Sequence, residues 1–153
     1  MKKLKSINLI IIFLFFISCG YSPIYKDLSD INFSINLNKV SGNRTLNNLF
    51  KSNLNNYNSN NAKKKYDIDL ETKYTKNIIA KDTTGAATEY KLTINVSFKV
   101  NSNEYDREFI FQESFNMKSI SDKLEEKDYE ENIKSNLVNI ITRKLILQLS
   151  LVK

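Results

Sequence analysis

Apolar and polar residues alternate with a period of two along four stretches of the chain, and two others repeat apolar residues every three or four. In "INFSINL", Ile31, Phe33, Ile35 and Leu37 fall on one face, with Asn32, Ser34 and Asn36 on the other. "YDIDLETKY" repeats this through Tyr66, Ile68, Leu70, Thr72 and Tyr74, opposite Asp67, Asp69, Glu71 and Lys73. The cleanest case is "YKLTINVSFKV", where Tyr90, Leu92, Ile94, Val96, Phe98 and Val100 share a face. Strict alternation belongs to a strand with one wet side. "NSNEYD" then predicts a hairpin, and "REFIFQESFNMK" returns with Phe109, Phe111, Phe115 and Met117 in register. Glu113 also falls in that apolar register, which predicts a bulge or a fraying sheet edge.

Helical spacing governs the remaining stretches. Leu46, Leu49, Phe50, Leu54 and Tyr57 recur in "SGNRTLNNLFKSNLNNY", with Ser41 or Asn43 available as the cap. A longer helix is expected from about Lys127 to Ser150, burying Ile133, Leu137, Ile140, Ile141 and Leu145. Asp122, Glu125 and Glu126 near its start and Arg143 and Lys144 near its end have the signs that a helix dipole favours. The element order is β-α-β-β-β-α. One-faced strands and amphipathic helices bury their stripes together as an α+β two-layer sandwich, here a four-stranded, mostly antiparallel sheet packed against two helices.

The N-terminus follows a different rule. "MKKLKSINLIIIFLFFIS" opens with three lysines and continues as an unbroken apolar run from Leu9 to Ile17. That run suits the apolar region of an export signal and is short for a membrane-spanning helix, which needs about 20 residues. Ser18 supplies the small residue before a cut, and "CGYSP" ends any helix at once. Cys19 is the only cysteine in the chain and stands directly after that small residue. Phe16-Ile17-Ser18-Cys19 resembles a bacterial lipobox, in which the thiol receives a diacylglyceryl group and becomes the first residue. A buried structural cysteine or an intermolecular disulfide leaves that position unexplained. The expected division is a lipoprotein signal peptide over 1–18, a lipidated tether over 19–30 and an α+β domain over 31–153.

Removing the signal changes the electrostatics. The full chain has 23 basic and 17 acidic residues, a net charge of +6. The first 18 residues carry three of the basic residues and no acidic one, leaving 20 against 17, or +3. This is too mild for nucleic-acid binding, which needs concentrated cationic surface. The abundance of Asn and Lys gives single residues of those types little weight.

Catalytic chemistry is poorly supplied. Without histidine the chain has no imidazole base and no Ser-His-Asp triad. Only Gly20, Gly42 and Gly85 are present, so there is no glycine-rich phosphate loop. Asp67, Asp69 and Glu71 on one strand face read as a solvated surface more readily than as a metal site or carboxylate pair. No enzyme, metal or cofactor is expected. The cations worth singling out are Lys76 and Lys81 before the turn "TTGAA", Arg107 at the start of the last strand, and Lys118, Lys123 and Lys127 around the start of the last helix. Charge-assisted contacts to phosphate are what such side chains supply.

Three stretches resemble one family. "CGYSPIY" is similar to the start of the LPS-assembly lipoproteins, the LptE family. "AKDTTGAATEYKLTINVSF" resembles their central hairpin, and "IKSNLVNIITRKLILQL" their closing helix. Ser22 stands where a basic residue is often found, and the turn lacks an arginine that some members use, leaving Lys81 as the nearby cation. The resemblance implies an outer-membrane lipoprotein, anchored on its periplasmic side, that plugs the β-barrel LptD and helps move lipopolysaccharide to the outer leaflet. It further implies Lys81, Lys123 and Lys127 as lipopolysaccharide contacts, Cys19 as the lipidation site, and Gly20 as permitting outer-membrane sorting. The alternatives are an accessory lipoprotein of another envelope machine, for barrel assembly or secretion, a ligand-binding module with no barrel partner, and a structural or hydrolytic role in the envelope.

Overall fold

The computed structural model describes residues 33–58, 62–102 and 105–151. All of these lie in the compact unit Ile31–Lys153. The expected signal peptide, Cys19 and the tether lie outside the described residues. The elements are β1 (Phe33–Gly42), α1 (Arg44–Asn55), β2 (Lys64–Lys81), β3 (Ala87–Ser102), β4 (Tyr105–Lys118) and α2 (Lys123–Ser150). The sheet order is β1-β2-β3-β4. β1 and β2 run parallel, joined through α1, while β2, β3 and β4 form an antiparallel meander. The architecture is the expected α+β one, with its sheet mostly antiparallel.

The core forms where the alternating faces meet the helices. Tyr66, Ile68 and Leu70 of β2 and Leu92, Ile94, Val96, Phe98 and Val100 of β3 are buried. Leu46, Phe50 and Leu54 of α1 cover them on one side. Between the two expected caps Asn43 prevails: its backbone is extended and its side-chain Oδ1 accepts the Leu46 N–H at 3.1 Å. Thr72, a buried polar residue on the inward face of β2, fixes the β1–α1 junction. Its hydroxyl accepts from Asn43 N at 3.0 Å and donates to Asn47 Oδ1 at 2.7 Å.

Three expectations need correction. The last helix begins at Lys123, because the Asp122 carboxylate caps it, accepting from Leu124 N and Glu125 N at 2.8 and 3.2 Å. Ile140 is exposed, not buried. The buried row of α2 runs Ile133, Leu137, Ile141, Leu145 and Leu149, with Val138 and Ile146 beside it. An i, i+4 row winds about 40° around a helix at each step, so by its middle the row has turned away from Ile140. Glu113 causes no bulge. The β3–β4 register is unbroken from Glu89↔Lys118 to Ser102↔Tyr105, although β4 is a sheet edge as anticipated. Lys144 of α2 ion-pairs with the Glu113 carboxylate, which lets a charge occupy the apolar register.

Candidate functional site

Among the described residues the densest polar cluster joins β2 and β3 to the first half of α2. Lys76 follows Tyr74 in the inward register of β2, and Glu126, Glu130 and Lys134 recur at four-residue spacing along α2. That spacing puts them on one helix face. Lys76 Nζ lies 2.8 Å from Glu130 Oε2 and 3.4 Å from Glu126 Oε1. Lys134 Nζ reaches Glu130 Oε1 at 2.8 Å and Glu131 Oε1 at 2.9 Å. The Tyr74 hydroxyl donates to Glu130 Oε1 at 2.7 Å. Each ammonium also sits over a ring: Lys76 over Tyr90 at 4.2 Å and Lys134 over Tyr74 at 4.3 Å. Cation–π contact at that range adds to the ion pairs.

Glu126 pins the entrance to α2. Its Oε2 accepts from Ile120 N at 3.1 Å, Ser119 Oγ at 2.9 Å and Lys123 Nζ at 3.4 Å. The Ile120 amide, with Ser119, Lys76 and Lys123, holds its carboxyl down at about 2, against the opposing effect of burial. Burial alone would raise Glu130, but hydrogen bonds from Lys134, Lys76 and Tyr74 prevail and leave it at about 2 as well. Lys76 and Lys134 are pushed up, their burial outweighed by the same carboxylates. Burial and the bond to Glu130 push the Tyr74 phenol up too.

These shifts set a pH dependence. Glu126 and Glu130 are 9 % and 15 % exposed at the side chain, so solvent screens them little. Their contribution is complete above the ordinary carboxylate range near pH 4.5 and disappears as pH falls through about 2. Roughly 3 kcal/mol is at stake for the coupled pair. Urea midpoints followed by circular dichroism are expected to be level from pH 5 to 9 and to drop below pH 4.5. Glu130→Gln is expected to flatten that acid limb. An unchanged limb in the variant would remove Glu130 from this role.

The cluster accounts for Lys76, and the remaining sequence-predicted cations divide by position. Lys81 ends β2 opposite Ala87 and is exposed. A stiff turn fixes the residues beyond it. The Asp82 carboxylate accepts from Thr84 Oγ1, Thr84 N and Ala86 N at 2.6, 2.8 and 2.9 Å. The Thr84 hydroxyl first, then these amides, holds Asp82 below the usual carboxylate range. Lys123 and Lys127 stand on the first two turns of α2, and Lys118 lies opposite Glu89 near the hairpin base. All four belong to the same end of the domain. They do not share a pocket, since Lys81 lies roughly 17 Å along β2 beyond Lys76. Arg107 lies at the other end, opposite Val100. Lys123 is already shared with Glu126, while Lys81 and Lys127 form no ion pair among the described residues.

The acidic strand face is structural. Asp67 accepts from Asn36 Nδ2 at 2.8 Å and Asp69 from Lys39 N at 3.2 Å, tying β1 to β2. The described residues contain no metal-binding cluster and no helix long and apolar enough to cross a membrane.

Comparison with known proteins agrees with this geometry. The chain resembles a rare lipoprotein B from Shewanella oneidensis in structure, with a TM-score of 0.55 at 16% identity, covering 76% of this chain and 90% of that one. A lipoprotein B from Nitrosomonas europaea gives 0.53 at 14%, covering 77% and 81%. A minor lipoprotein from Acinetobacter baumannii gives 0.50 at 15%, covering 76% and 92%. At such identities the likeness shows the fold. No curated protein matches the chain in sequence. The family model described as LptE, lipopolysaccharide-assembly, matches residues 31–149, from before β1 almost to the end of α2. With its element order, sheet topology and family match in agreement, the chain belongs to the LptE lipopolysaccharide-assembly family.

Proposed function

We propose that this LptE-family chain is an outer-membrane lipoprotein that plugs the LptD barrel and helps deliver lipopolysaccharide to the outer leaflet, without catalysing a reaction. The family match over residues 31–149 carries the reading. In it, residues 1–18 are removed, Cys19 is acylated and residues 19–30 tether the domain to the periplasmic face of the membrane. One acyl chain anchors only marginally, whereas several hold firmly. The surface suits a wet barrel lumen. Lys91, Thr93, Asn95, Ser97 and Lys99 of β3 face away from the helices, with Gln112, Ser114 and Asn116 of β4 beside them. Lys81, Lys123 and Lys127 contact phosphates or acidic sugars of lipopolysaccharide, with Lys123 the weakest contributor because Glu126 already neutralises it.

The test is detergent co-purification of the tagged full-length chain from its own outer membranes. A large barrel protein in one-to-one ratio, with lipopolysaccharide, is the expected result. Cys19→Ser is expected to release the chain from the membrane fraction. Lys81→Ala, Lys123→Ala and Lys127→Ala combined are expected to keep the barrel and lose lipopolysaccharide. A chain that emerges with a secretion or barrel-assembly complex instead would assign it to another envelope machine.

A further inference from the structure

We propose that the cleft between the end of α1 and the second half of α2 binds an acidic sugar residue, whose hydroxyls meet three asparagines and Thr142 and whose carboxylate meets Arg143. The proposal stands on the chemistry of the cleft and holds whichever envelope machine the chain serves. Asn53, Asn56 and Tyr57, from the last turn of α1 and just beyond it, and Asn139, Thr142 and Arg143 of α2 line a cleft of about 140 Å³. Both sets repeat one spacing, i, i+3 and i+4, which groups side chains on one helix face. A single water needs roughly 10–15 Å³, so the space takes a ring-sized group. The cleft is separate from the cations considered above, since Arg143 stands about 24 Å along α2 beyond Lys127.

Thr142 points to a ligand. It lines the cleft at 1 % exposure, and its buried Oγ1 has no hydrogen-bond partner. Buried hydroxyls are nearly always bonded, and a helical threonine commonly bonds the carbonyl one turn back. The polar atoms around it are only partly used. Asn53 Nδ2 donates to Asn139 Oδ1 at 2.6 Å, which leaves Asn53 Oδ1 as an acceptor and Asn139 Nδ2 as a donor. The Asn56 carboxamide, the Tyr57 hydroxyl and the Arg143 guanidinium have no partner among the described residues.

The donor set selects the ligand. A carboxamide donates and accepts at adjacent atoms, the pattern that neighbouring sugar hydroxyls match. An inorganic anion takes donors only, and the cleft lies at the C-terminal, negative end of the α1 dipole, which opposes it. Arg143 supplies a single positive charge, and no carboxylate lines the cleft. The stretches from Ile31 to Tyr66 and from Asn132 to Lys153 contain no Asp or Glu at all. A metal ion or a polyamine would therefore find nothing to neutralise it. A sugar with one carboxylate uses both the amides and the guanidinium, which pairs with a carboxylate through two parallel hydrogen bonds. The half-buried Tyr57 adds aromatic surface beside the ring. Lipopolysaccharide and a free acidic polysaccharide share this chemistry.

The test uses the full-length chain extracted in a sugar-free detergent, with saturation-transfer NMR as the readout. The probes are methyl glucuronide, methyl glucoside, acetate and inorganic phosphate. Methyl glucuronide is expected to bind roughly tenfold more tightly than the glucoside. Arg143→Gln, at an exposed position, is expected to weaken the glucuronide roughly tenfold and to leave the glucoside unchanged. Asn139→Asp keeps an acceptor for Asn53 Nδ2 but sets a carboxylate beside the ligand's own, and should divide the two sugars in the same way. Thr142→Val exchanges the hydroxyl for a methyl group. It is expected to weaken both sugars roughly threefold or more, with the melting temperature unchanged or raised. Competition in the combined Lys81→Ala, Lys123→Ala and Lys127→Ala chain identifies the source. Displacement of the glucuronide by lipopolysaccharide from the same membranes assigns it there, and displacement by polygalacturonate alone assigns a free acidic glycan. Displacement by neither would overturn the proposal. So would acetate or phosphate binding as tightly as the glucuronide, or glucuronide binding that Arg143→Gln and Thr142→Val leave unaltered. Loss of the co-purifying barrel in Arg143→Gln with sugar binding intact would likewise overturn it, making the cleft a protein contact.

Discussion

Gly42→Ala is expected to destabilise the domain by about 3 kcal/mol or more, lowering its melting temperature by roughly 10 °C. Gly42 ends β1 with φ +94°, a conformation that favours glycine. An added Cβ would stand 1.8 Å from the Thr72 carbonyl oxygen and within 3 Å of the Thr72 carbonyl carbon and amide nitrogen. These are backbone atoms of the neighbouring strand and cannot swing aside. Relief requires β1 to separate from β2 where Asn43 N donates to Thr72 O at 3.1 Å. The α1 cap and the Thr72–Asn47 bond depend on the same junction. Gly85 provides the internal control, since its φ is +87° but nothing lies within 4 Å of an added Cβ. Gly85→Ala should therefore cost about 1 kcal/mol, the backbone strain alone. Thermal melts of the two variants separate the effects. Equal losses would show that the collision at Thr72 is relieved at no cost.

Phe98→Ala carries the other large effect, an expected loss of 3–5 kcal/mol. Phe98 is fully buried at the centre of β3. Its ring meets Phe50 of α1 edge-on at 5.5 Å and 83°, and Phe111 of β4 at 6.1 Å and 64°. Phe109 stacks on Phe111 at 6.4 Å, so a row of rings links the helix layer to the sheet edge. Truncation removes both edge contacts and leaves a hole between a helix and two strands that their hydrogen bonds hold in place. Phe98→Leu should recover part of the loss, because it fills much of the space that alanine leaves empty but makes neither ring contact. Urea denaturation at pH 7 measures both variants. A loss below 1.5 kcal/mol for the alanine variant would mean that α1 can settle into the space.

Much of this fold can be read along the chain because each strand has one wet face. The run from Leu92 to Val100 alternates strictly, and every expected inward residue in it is buried. α2 is less legible. Its buried row follows i, i+4 and winds, so Ile140 matches the average helical period while pointing away from the core. The charged cluster was not anticipated, because Lys76 and its carboxylates are 50 and 54 residues apart and only folding brings them together. Two local signs existed: a lysine in the apolar register of β2, and Glu126, Glu130 and Lys134 on one helix face. Lys81, Lys123 and Lys127 lie at one end of the domain, a juxtaposition that only the fold reveals. Sequence order gave no indication that Lys123 is partly neutralised by a neighbour three residues on.

The order of elements also has a consequence in time. α2, which covers much of the sheet, follows all four strands in the chain and so is synthesised after them. β2, β3 and β4 can form their meander early, since hairpins close in microseconds. Until α2 arrives, the buried faces of Leu92, Ile94 and Met117 lack the helix that covers them. In that interval the β4 edge and a bare apolar face are exposed together, the combination that makes partly folded chains aggregate. The chain is therefore most vulnerable before α2 joins the sheet, and a holdase that shields apolar surface would be most useful at that stage.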